Sequence, residues 1–335
     1  MININHNEDN NNIDKIIWLY LKENNLNLDN IIKKIKDNNL NINNDIIINR
    51  YNKIIEYINI LNELKELPLI KQRTQKWFDL RKMRLTASDL DEAISSNNTN
   101  LIKKKAGHII DNINYSVIPP LKWGTMYESM AMRCYSQLNN DIIINEFGLI
   151  LDKNIDCFAA SPDGITEIGK MIEIKCPYSR KIIDGVIPHK YLLQMQGQLA
   201  VCCLNECDYI ECDFKEFLNK EDYLSCDINL KINHGIIAEY KYNSEYYYLY
   251  SDIYLDKEET IINIENKLKE LNDPSKIFIK YIYWRLNKIN IQTVKFNKKN
   301  WDELIPKIKE FWNNVEEYKK IPIEKKKNLF INDDD

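Results

Sequence analysis

Apolar residues alternate with charged residues in the middle of the chain, which is the pattern of a β-strand. In "KMIEIKC" (170–176), Ile172 and Ile174 alternate with Glu173 and Lys175, so the two charged side chains share one face. Burying such charges in a sheet costs several kcal/mol per ion unless they are paired or hold a metal. The segment therefore predicts either a salt bridge within a sheet or a metal-dependent site.

Apolar residues at helical spacing surround this segment and complete the predicted fold. We expect residues 1–70 to form a helical, Asn-rich N-terminal extension without chemistry, serving as an accessory or partner-docking module. We expect residues 71–335 to form one further domain. Its predicted helices lie near 77–81, from 86–88 onward, and at 124–138, 189–201, 257–271 and 301–318, with strands between them. This order predicts an α/β fold with a mixed sheet flanked by helices.

Composition narrows the class of protein. Hydrophobic residues make up 44% of the 335 residues, which is typical of a folded chain. No apolar run approaches the ~20 residues of a membrane helix, and the polar, acidic start is not a secretory signal. We therefore expect a soluble intracellular protein without a membrane partner. The net charge of −4 gives no support for general nucleic-acid binding, so DNA would require a local basic patch.

Four of the eight cysteines cluster at 202, 203, 207 and 212. They lack a paired CxxC spacing, and the first two lie in the apolar stretch "LAVCCL". Free thiols are therefore favoured over a zinc site.

Two carboxylates and a lysine have the spacing of the PD-(D/E)XK nuclease core. Asp163 stands in the turn "SPDG", and nine residues separate it from Glu173-Ile-Lys175. Glu128 lies on a preceding predicted helix, and Gln194 lies on the next one. An E-x-K triplet arises often by chance, so these neighbours carry much of the prediction.

Six short motifs follow one another along residues 73–200. They are "WFDLR" (77–81), "TAS" (86–88), "WGTMYE" (123–128), "SPDG" (161–164), "EIKCP" (173–177) and "YLLQMQ" (191–196). In order and internal spacing they resemble the YqaJ-type viral recombinase family, the lambda exonuclease-like members of the PD-(D/E)XK nuclease superfamily. The resemblance implies a restriction-endonuclease-like core and a metal-dependent deoxyribonuclease.

The resemblance also implies a role for each matched residue. The implied catalytic residues are Asp163, Glu173, Lys175, Glu128 and Gln194. The implied metal ligands are Asp163, Glu173, the backbone carbonyl of Ile174 and Glu128, with Mg²⁺ as cofactor and Mn²⁺ as the alternative. Lys175 would orient the attacking water and stabilise the anionic transition state, or act as a neutral base.

Arg81 and Ser88 match the family positions that hold the 5′-phosphate of a DNA end. A guanidinium fork fits phosphate, and a helix N-terminus with a hydroxyl favours anions. A structural salt bridge for Arg81 and a helix cap for Ser88 stay open. For Lys103–Lys105 a solvated face is favoured, and Gln196 and Gln198 fit a polar surface as well as a functional role.

The implied activity is 5′→3′ exonuclease digestion of linear double-stranded DNA in recombination or repair. The alternatives are an endonuclease or a single-strand or flap nuclease on the same core, or a degenerate protein that binds DNA or docks a recombinase. The implied partners are double-stranded DNA, a single-strand annealing protein or another recombination protein, and further copies of the chain in a homotrimer. The compartment would be the cytoplasm, the nucleus or a viral replication compartment.

Overall fold

The computed structural model describes residues 6–24, 27–38, 42–109, 118–226, 233–243, 245–253, 255–271 and 273–322. The helices are α1 (His6–Asn24), α2 (Leu28–Asp37), α3 (Asn44–Lys65), α4 (Gln75–Lys82), α5 (Leu90–Ala93), α6 (Thr99–Lys105), α7 (Pro119–Leu138), α8 (His189–Cys202), α9 (Lys220–Ser225), α10 (Lys257–Glu270) and α11 (Lys298–Lys319). The strands are β1 (Leu85–Thr86), β2 (Ile144–Asn145), β3 (Ile150–Leu151), β4 (Phe158–Ala160), β5 (Gly164–Thr166), β6 (Met171–Lys175), β7 (Glu206–Glu216), β8 (His234–Tyr242), β9 (Glu245–Tyr250) and β10 (Ile277–Lys295). None of the helices in these ranges combines the length and apolar character that a bilayer span requires.

The main sheet has the strand order β2-β5-β6-β7-β10-β8-β9. β6 and β7 run parallel, which places Lys175 opposite Glu211, and the other neighbouring strands run antiparallel. A smaller sheet of order β1-β4-β3 pairs Leu85 with Phe158. The predicted α/β fold, with a mixed sheet between helices and a helical N-terminal segment, is confirmed.

Strand β6 separates an apolar face from a polar one, as its alternation predicted. Ile172 and Ile174 are buried in one hydrophobic cluster with Met126 and Met130 of α7. Glu173 points to the other face, where it meets Gln194 of α8. Helices α7 and α8 therefore cover opposite faces of the strand that carries the E-x-K triplet.

The N-terminal helices pack into this same apolar cluster. Ile13 and Ile17 of α1, and Ile47 of α3, belong to one buried cluster with Trp284 of β10. The helical structure predicted for this segment is thus present as three helices, which contribute to the main core. The boundary at residue 70 between an extension and a domain stays a prediction.

Buried charges also join these helices to the sheet, and we call them the N-terminal charge network. Arg50 of α3 donates from Nε to Asp14 Oδ1 at 2.6 Å, and its Nη2 lies 3.5 Å from Glu206 of β7. Lys53 Nζ lies 2.6 Å from Glu206 Oε1. We include in the network the ion pair between Lys170 Nζ and Asp208 Oδ1, which are 3.2 Å apart.

Two predicted helix starts are displaced in the structure. The helix expected from 86–88 begins only at Leu90, because Thr86 belongs to β1 and Ser88 lies in a 3₁₀ turn (Ala87–Asp89). Pairing of β1 with β4 fixes Thr86 in extended backbone, which a sequence pattern does not reveal. Helix α7 begins at Pro119, five residues before the predicted start, and proline suits the first turn of a helix.

Candidate active site

Asp163 stands at the end of the turn that leads into β5, directly beside β6. The backbone N–H of Ile174 donates to Asp163 Oδ2 at 2.7 Å. Gly164 lets the turn pack closely, since a Cβ there would lie 2.5 Å from Ile144 Cγ2. The local fold therefore fixes the Asp163 carboxylate against the strand that carries Glu173 and Lys175.

Glu173 is fully buried and accepts hydrogen bonds at both oxygens. Lys175 Nζ and Gln194 Nε2 donate to Oε1, the amide at 2.7 Å. Gln198 Nε2 donates to Oε2 at 2.7 Å. Two of the predicted site residues, Lys175 of β6 and Gln194 of α8, are thus in direct contact with Glu173, and Gln198 is a third partner.

Negative charge is in excess around Asp163. Burial, followed by the nearby charges of Glu173 and Glu128, raises the pKa of Asp163 well above its usual value. Burial alone would lower the pKa of Lys175, but the carboxylates of Glu173 and Asp163 raise it above its usual value. This arrangement favours the ammonium form of Lys175, which the Tyr191 ring also faces at 4.8 Å.

Glu128 reaches this group from α7, but its direct partner is an arginine. Arg73 Nη2 lies 2.7 Å from Glu128 Oε2, and both side chains are partly exposed to solvent. The contact places one permanent cation at the edge of the carboxylate group. The sequence did not predict this contact between Arg73 and Glu128.

Arg81 and Ser88 meet each other at a second location. Arg81 Nη2 donates to Ser88 Oγ at 2.9 Å, and its guanidinium stacks over the Trp77 ring at 4.4 Å. Trp77 Nε1 in turn donates to Ser161 Oγ at 3.0 Å. Gln198 Nε2 donates both to the carbonyl oxygen of Ser161 at 3.2 Å and to Glu173. A continuous series of contacts therefore joins the predicted phosphate pocket to the carboxylates.

Lys105 is buried, although we expected Lys103–Lys105 to form a solvated face. Its side chain is 6% exposed, and its Nζ contacts Asp89 at 2.8 Å and the carbonyl oxygen of Arg81 at 2.9 Å. Burial alone would raise the pKa of Asp89, but the positive charges of Lys105 and Arg81 lower it overall. Lys105, in the last turn of α6, thus holds the backbone at Arg81 in place beside the predicted phosphate pocket.

Gln196 and Gln198, which follow Gln194 on α8, also differ from each other. Gln198 is 1% exposed and holds Glu173, so a polar surface is the wrong description for it. Gln196 bonds to the backbone of Lys295 and Asn297 at the other side of the helix. A sequence signal existed only for Gln198, since it lies one helical turn after Gln194 and shares its face.

The donor set fits a hard divalent cation in its chemistry. Carboxylate and carbonyl oxygens are the ligands that Mg²⁺ prefers, and the carboxylates of Glu173 and Glu128 lie close enough to Asp163 to contribute, after burial, to its raised pKa. Among the described residues, however, no three histidine, cysteine, aspartate or glutamate side chains are grouped closely enough to hold a metal. The carboxylates are held by Ile174, Lys175, the glutamines and Arg73, so an ion would have to replace some of these donors.

The matched motifs and this arrangement lie within one recognisable segment of the chain. Residues 76–205 match the YqaJ-like viral recombinase domain. The segment contains the candidate carboxylates, Lys175, Gln194, and the Arg81–Ser88 pair, so the resemblance inferred from the six motifs is confirmed. Arg73 lies just before it.

A curated relative is uncharacterized protein R354 of Acanthamoeba polyphaga mimivirus. It is 28% identical, and the match covers 76% of this chain and 54% of that protein. The chain therefore spans about half the length of this relative.

Two solved structures resemble the chain. One is an alkaline exonuclease, LHK-Exo, from Laribacter hongkongensis, with a TM-score of 0.44 and 18% identity over 73% of this chain and 93% of that chain. The other is a phage-related exonuclease from Haemophilus somnus 129PT, with a TM-score of 0.38 and 13% identity over 72% of this chain and 95% of that chain. We draw no functional conclusion from likenesses at this level.

Proposed function

We propose that this protein is a divalent-metal-dependent deoxyribonuclease that hydrolyses phosphodiester bonds. The observation that carries the proposal is the grouping of Asp163, Glu173 and Lys175 at the junction of β5 and β6, inside the YqaJ-like segment. A buried structural ion pair would balance its charges, whereas here burial and then the negative charges of Glu173 and Glu128 raise the pKa of Asp163. Such an excess of carboxylate charge favours binding of a cation.

Each side chain then has a defined task in hydrolysis. Asp163, Glu173, Glu128 and the Ile174 carbonyl would hold Mg²⁺ or Mn²⁺, which supplies the positive charge needed to activate water and to stabilise the phosphate oxygens. The Lys175 ammonium would orient that water and stabilise developing negative charge on the phosphate. Gln194 would fix the Glu173 carboxylate and the lysine through its amide.

We propose further that the enzyme digests linear double-stranded DNA from 5′ ends, in recombination or repair. Arg81 and Ser88 present a guanidinium and a hydroxyl to the same space, which is the donor set that a terminal phosphate accepts. Their connection to Glu173 through Trp77, Ser161 and Gln198 would set the distance from the end to the cleaved bond. A homotrimer and a partner such as a single-strand annealing protein belong to the same proposal.

The test uses linear duplexes that differ only in a 5′-phosphate or 5′-hydroxyl end, together with a closed circle. With Mg²⁺ we expect cleavage of the linear duplexes alone, faster for the phosphorylated end by about tenfold or more. Arg81→Gln should abolish this preference while retaining cleavage, because only the contact to the end is lost.

Other outcomes would redirect the proposal. Cleavage of the circle would favour an endonuclease, and preference for single strands or flaps would favour the corresponding nuclease. DNA binding without metal-dependent cleavage would overturn the enzymatic proposal in favour of a degenerate binding protein.

A further inference from the structure

The loop before α4 holds an arginine in a strained backbone conformation. Arg73 has a φ of 63°, in the left-handed region that costs a residue other than glycine about 1 kcal/mol or more. Strain of this kind persists only where the surrounding structure fixes it, and it is concentrated at functional sites.

Contacts on both sides fix this loop. The Gln72 side chain donates to the carbonyl oxygens of Phe147 at 3.3 Å and Pro162 at 3.2 Å. The Thr74 hydroxyl donates to the carbonyl oxygen of Lys71 at 2.7 Å and accepts from the first turn of α4. The side chain of Gln72 thus ties the loop to the turn that carries Asp163.

The backbone of the loop also crosses a neighbouring segment at very short range. A Cβ on Gly148 would stand 1.8 Å from the carbonyl oxygen of Ile70, so only glycine permits this approach. Leu149 N–H donates to the same oxygen at 3.0 Å. The backbone of Arg73 is therefore held in place by the fold and does not relax freely to an unstrained conformation.

The fixed backbone directs Arg73 at a candidate metal ligand. Its Nη2 contacts Glu128 Oε2 at 2.7 Å, while half of the Arg73 side chain remains exposed. A guanidinium and a divalent cation compete for one carboxylate, because each reduces the negative charge that attracts the other. A guanidinium also fits a phosphate at least as well as a carboxylate.

We propose that Arg73 couples DNA binding to metal binding by moving from Glu128 to a phosphate of the DNA strand. Without DNA, Arg73 and Lys175 provide two positive charges beside the three carboxylates of the candidate site. When Arg73 leaves, only the charge of Lys175 opposes those three negative charges. The phosphate that attracts Arg73 therefore increases the affinity of the site for the cation, and reciprocity requires the cation to increase DNA affinity. This inference rests on the nuclease function proposed above.

Arg73→Asn separates this role from a structural one, since asparagine tolerates left-handed backbone but carries no charge. Without DNA, the Kd for Mn²⁺ measured by calorimetry should fall by roughly two- to fivefold, the range of an exposed ion pair. In EDTA, the same variant should bind a short 5′-phosphorylated duplex more weakly by fluorescence anisotropy. Its plot of log K against log salt should be shallower by about 0.9, the loss of one phosphate contact.

Two further variants serve as controls. Arg133→Asn removes a positive charge from an exposed position on the helix that carries Glu128, and should leave Mn²⁺ affinity within about twofold. Arg73→Gly relieves the left-handed strain as well, so it replaces Arg73→Asn if that variant does not fold. Both Arg73 variants should bind Mn²⁺ more tightly, and the DNA duplex more weakly, than the unaltered protein does.

Two results would overturn the proposal, and they are distinguishable. If the unaltered protein binds Mn²⁺ and cleaves DNA with it, but the Arg73 variants bind Mn²⁺ no more tightly or keep the full salt slope, the coupling alone fails. If the unaltered protein neither binds Mn²⁺ nor cleaves with it, the nuclease proposal fails and the coupling fails with it.

Discussion

Two groups of buried and partly exposed charges can be compared in this molecule: the N-terminal charge network and the carboxylates around Asp163. The network sets Arg50, Lys53 and Lys170 against three carboxylates, those of Asp14, Glu206 and Asp208. The candidate site sets Lys175 and Arg73 against another three, those of Asp163, Glu173 and Glu128. The first group is balanced, whereas the second has one more negative charge than positive.

The pKa of Glu206 and the pKa of Asp163 shift in opposite directions, as this difference in charge balance predicts. Burial alone would raise the pKa of Glu206, but Lys53 and Arg50 lower it to about 2. At Asp163, burial and acidic neighbours act together and raise the pKa. Asp14 is intermediate, since burial raises its pKa despite Arg50. Burial of charge by itself therefore does not identify a functional site. The net charge of the whole group of side chains is more informative.

The largest expected effect is the loss of cleavage in Glu173→Gln. The change replaces a candidate metal ligand with an uncharged side chain of nearly the same shape. Metal-dependent cleavage should therefore fall by roughly 10³-fold or more. The free energy of unfolding should fall by about 1–3 kcal/mol, because the glutamine amide NH2 cannot accept the hydrogen bonds that one Glu173 oxygen accepts.

Glu206→Gln is the matched control for that experiment, since it neutralises a buried carboxylate of the balanced network. It should lower stability and leave cleavage by the folded protein unchanged. Cleavage by Glu173→Gln within about tenfold of the unaltered protein would remove Glu173 from the catalytic group.

Arg50→Met should produce the largest loss of stability. It retains much of the side-chain volume but leaves Asp14 and Glu206 buried without their shared cation, at a cost of about 4 kcal/mol in the free energy of unfolding. Denaturant unfolding measures this cost. Lys22→Met, which removes a half-exposed partner of Glu167, should cost less than about 1 kcal/mol. Equal losses in the two variants would contradict the distinction between a buried network and a surface pair.

The smallest effect is a dependence of stability on pH that belongs to Glu206. Its folded-state pKa is lowered to about 2 from a usual value of 4.5, so its stabilising contribution is complete above pH 4.5 and is lost as the pH falls towards 2. Between about pH 6 and pH 4, the stability difference between the unaltered protein and Glu206→Gln should therefore shrink by about 1 kcal/mol. A difference that stays constant or grows on acidification would show that Lys53 and Arg50 do not lower this pKa.

Local periodicity was sufficient to predict the central part of the candidate site. Alternation along β6 placed Glu173 and Lys175 on one face, and helical spacing placed Gln194 on α8 where it now contacts Glu173. These relations involve neighbours within one strand or between an element and the next, so the sequence carries them directly.

Other features depend on packing between distant segments and have no local signal. Lys105 looked like one of three solvated lysines, but α6 turns it towards the carbonyl of Arg81. The left-handed backbone of Arg73 depends on Gln72 and on Gly148, which lies far along the chain. The helix start at Leu90 was displaced because β1 pairs with β4.

The packing of the N-terminal helices against the main sheet also constrains how the protein is made. Ile17 shares its cluster with Trp284, and β10 lies between β7 and β8 in the middle of the sheet. During synthesis the sheet cannot close until residue 295 has left the ribosome, so the side of this cluster that β10 covers stays open until then. Contacts of such long sequence separation slow folding and prolong exposure to aggregation. The cluster that begins with the helices synthesised first is thus completed only by a strand synthesised late, and chaperones that cover nascent apolar surface should improve the yield of folded protein.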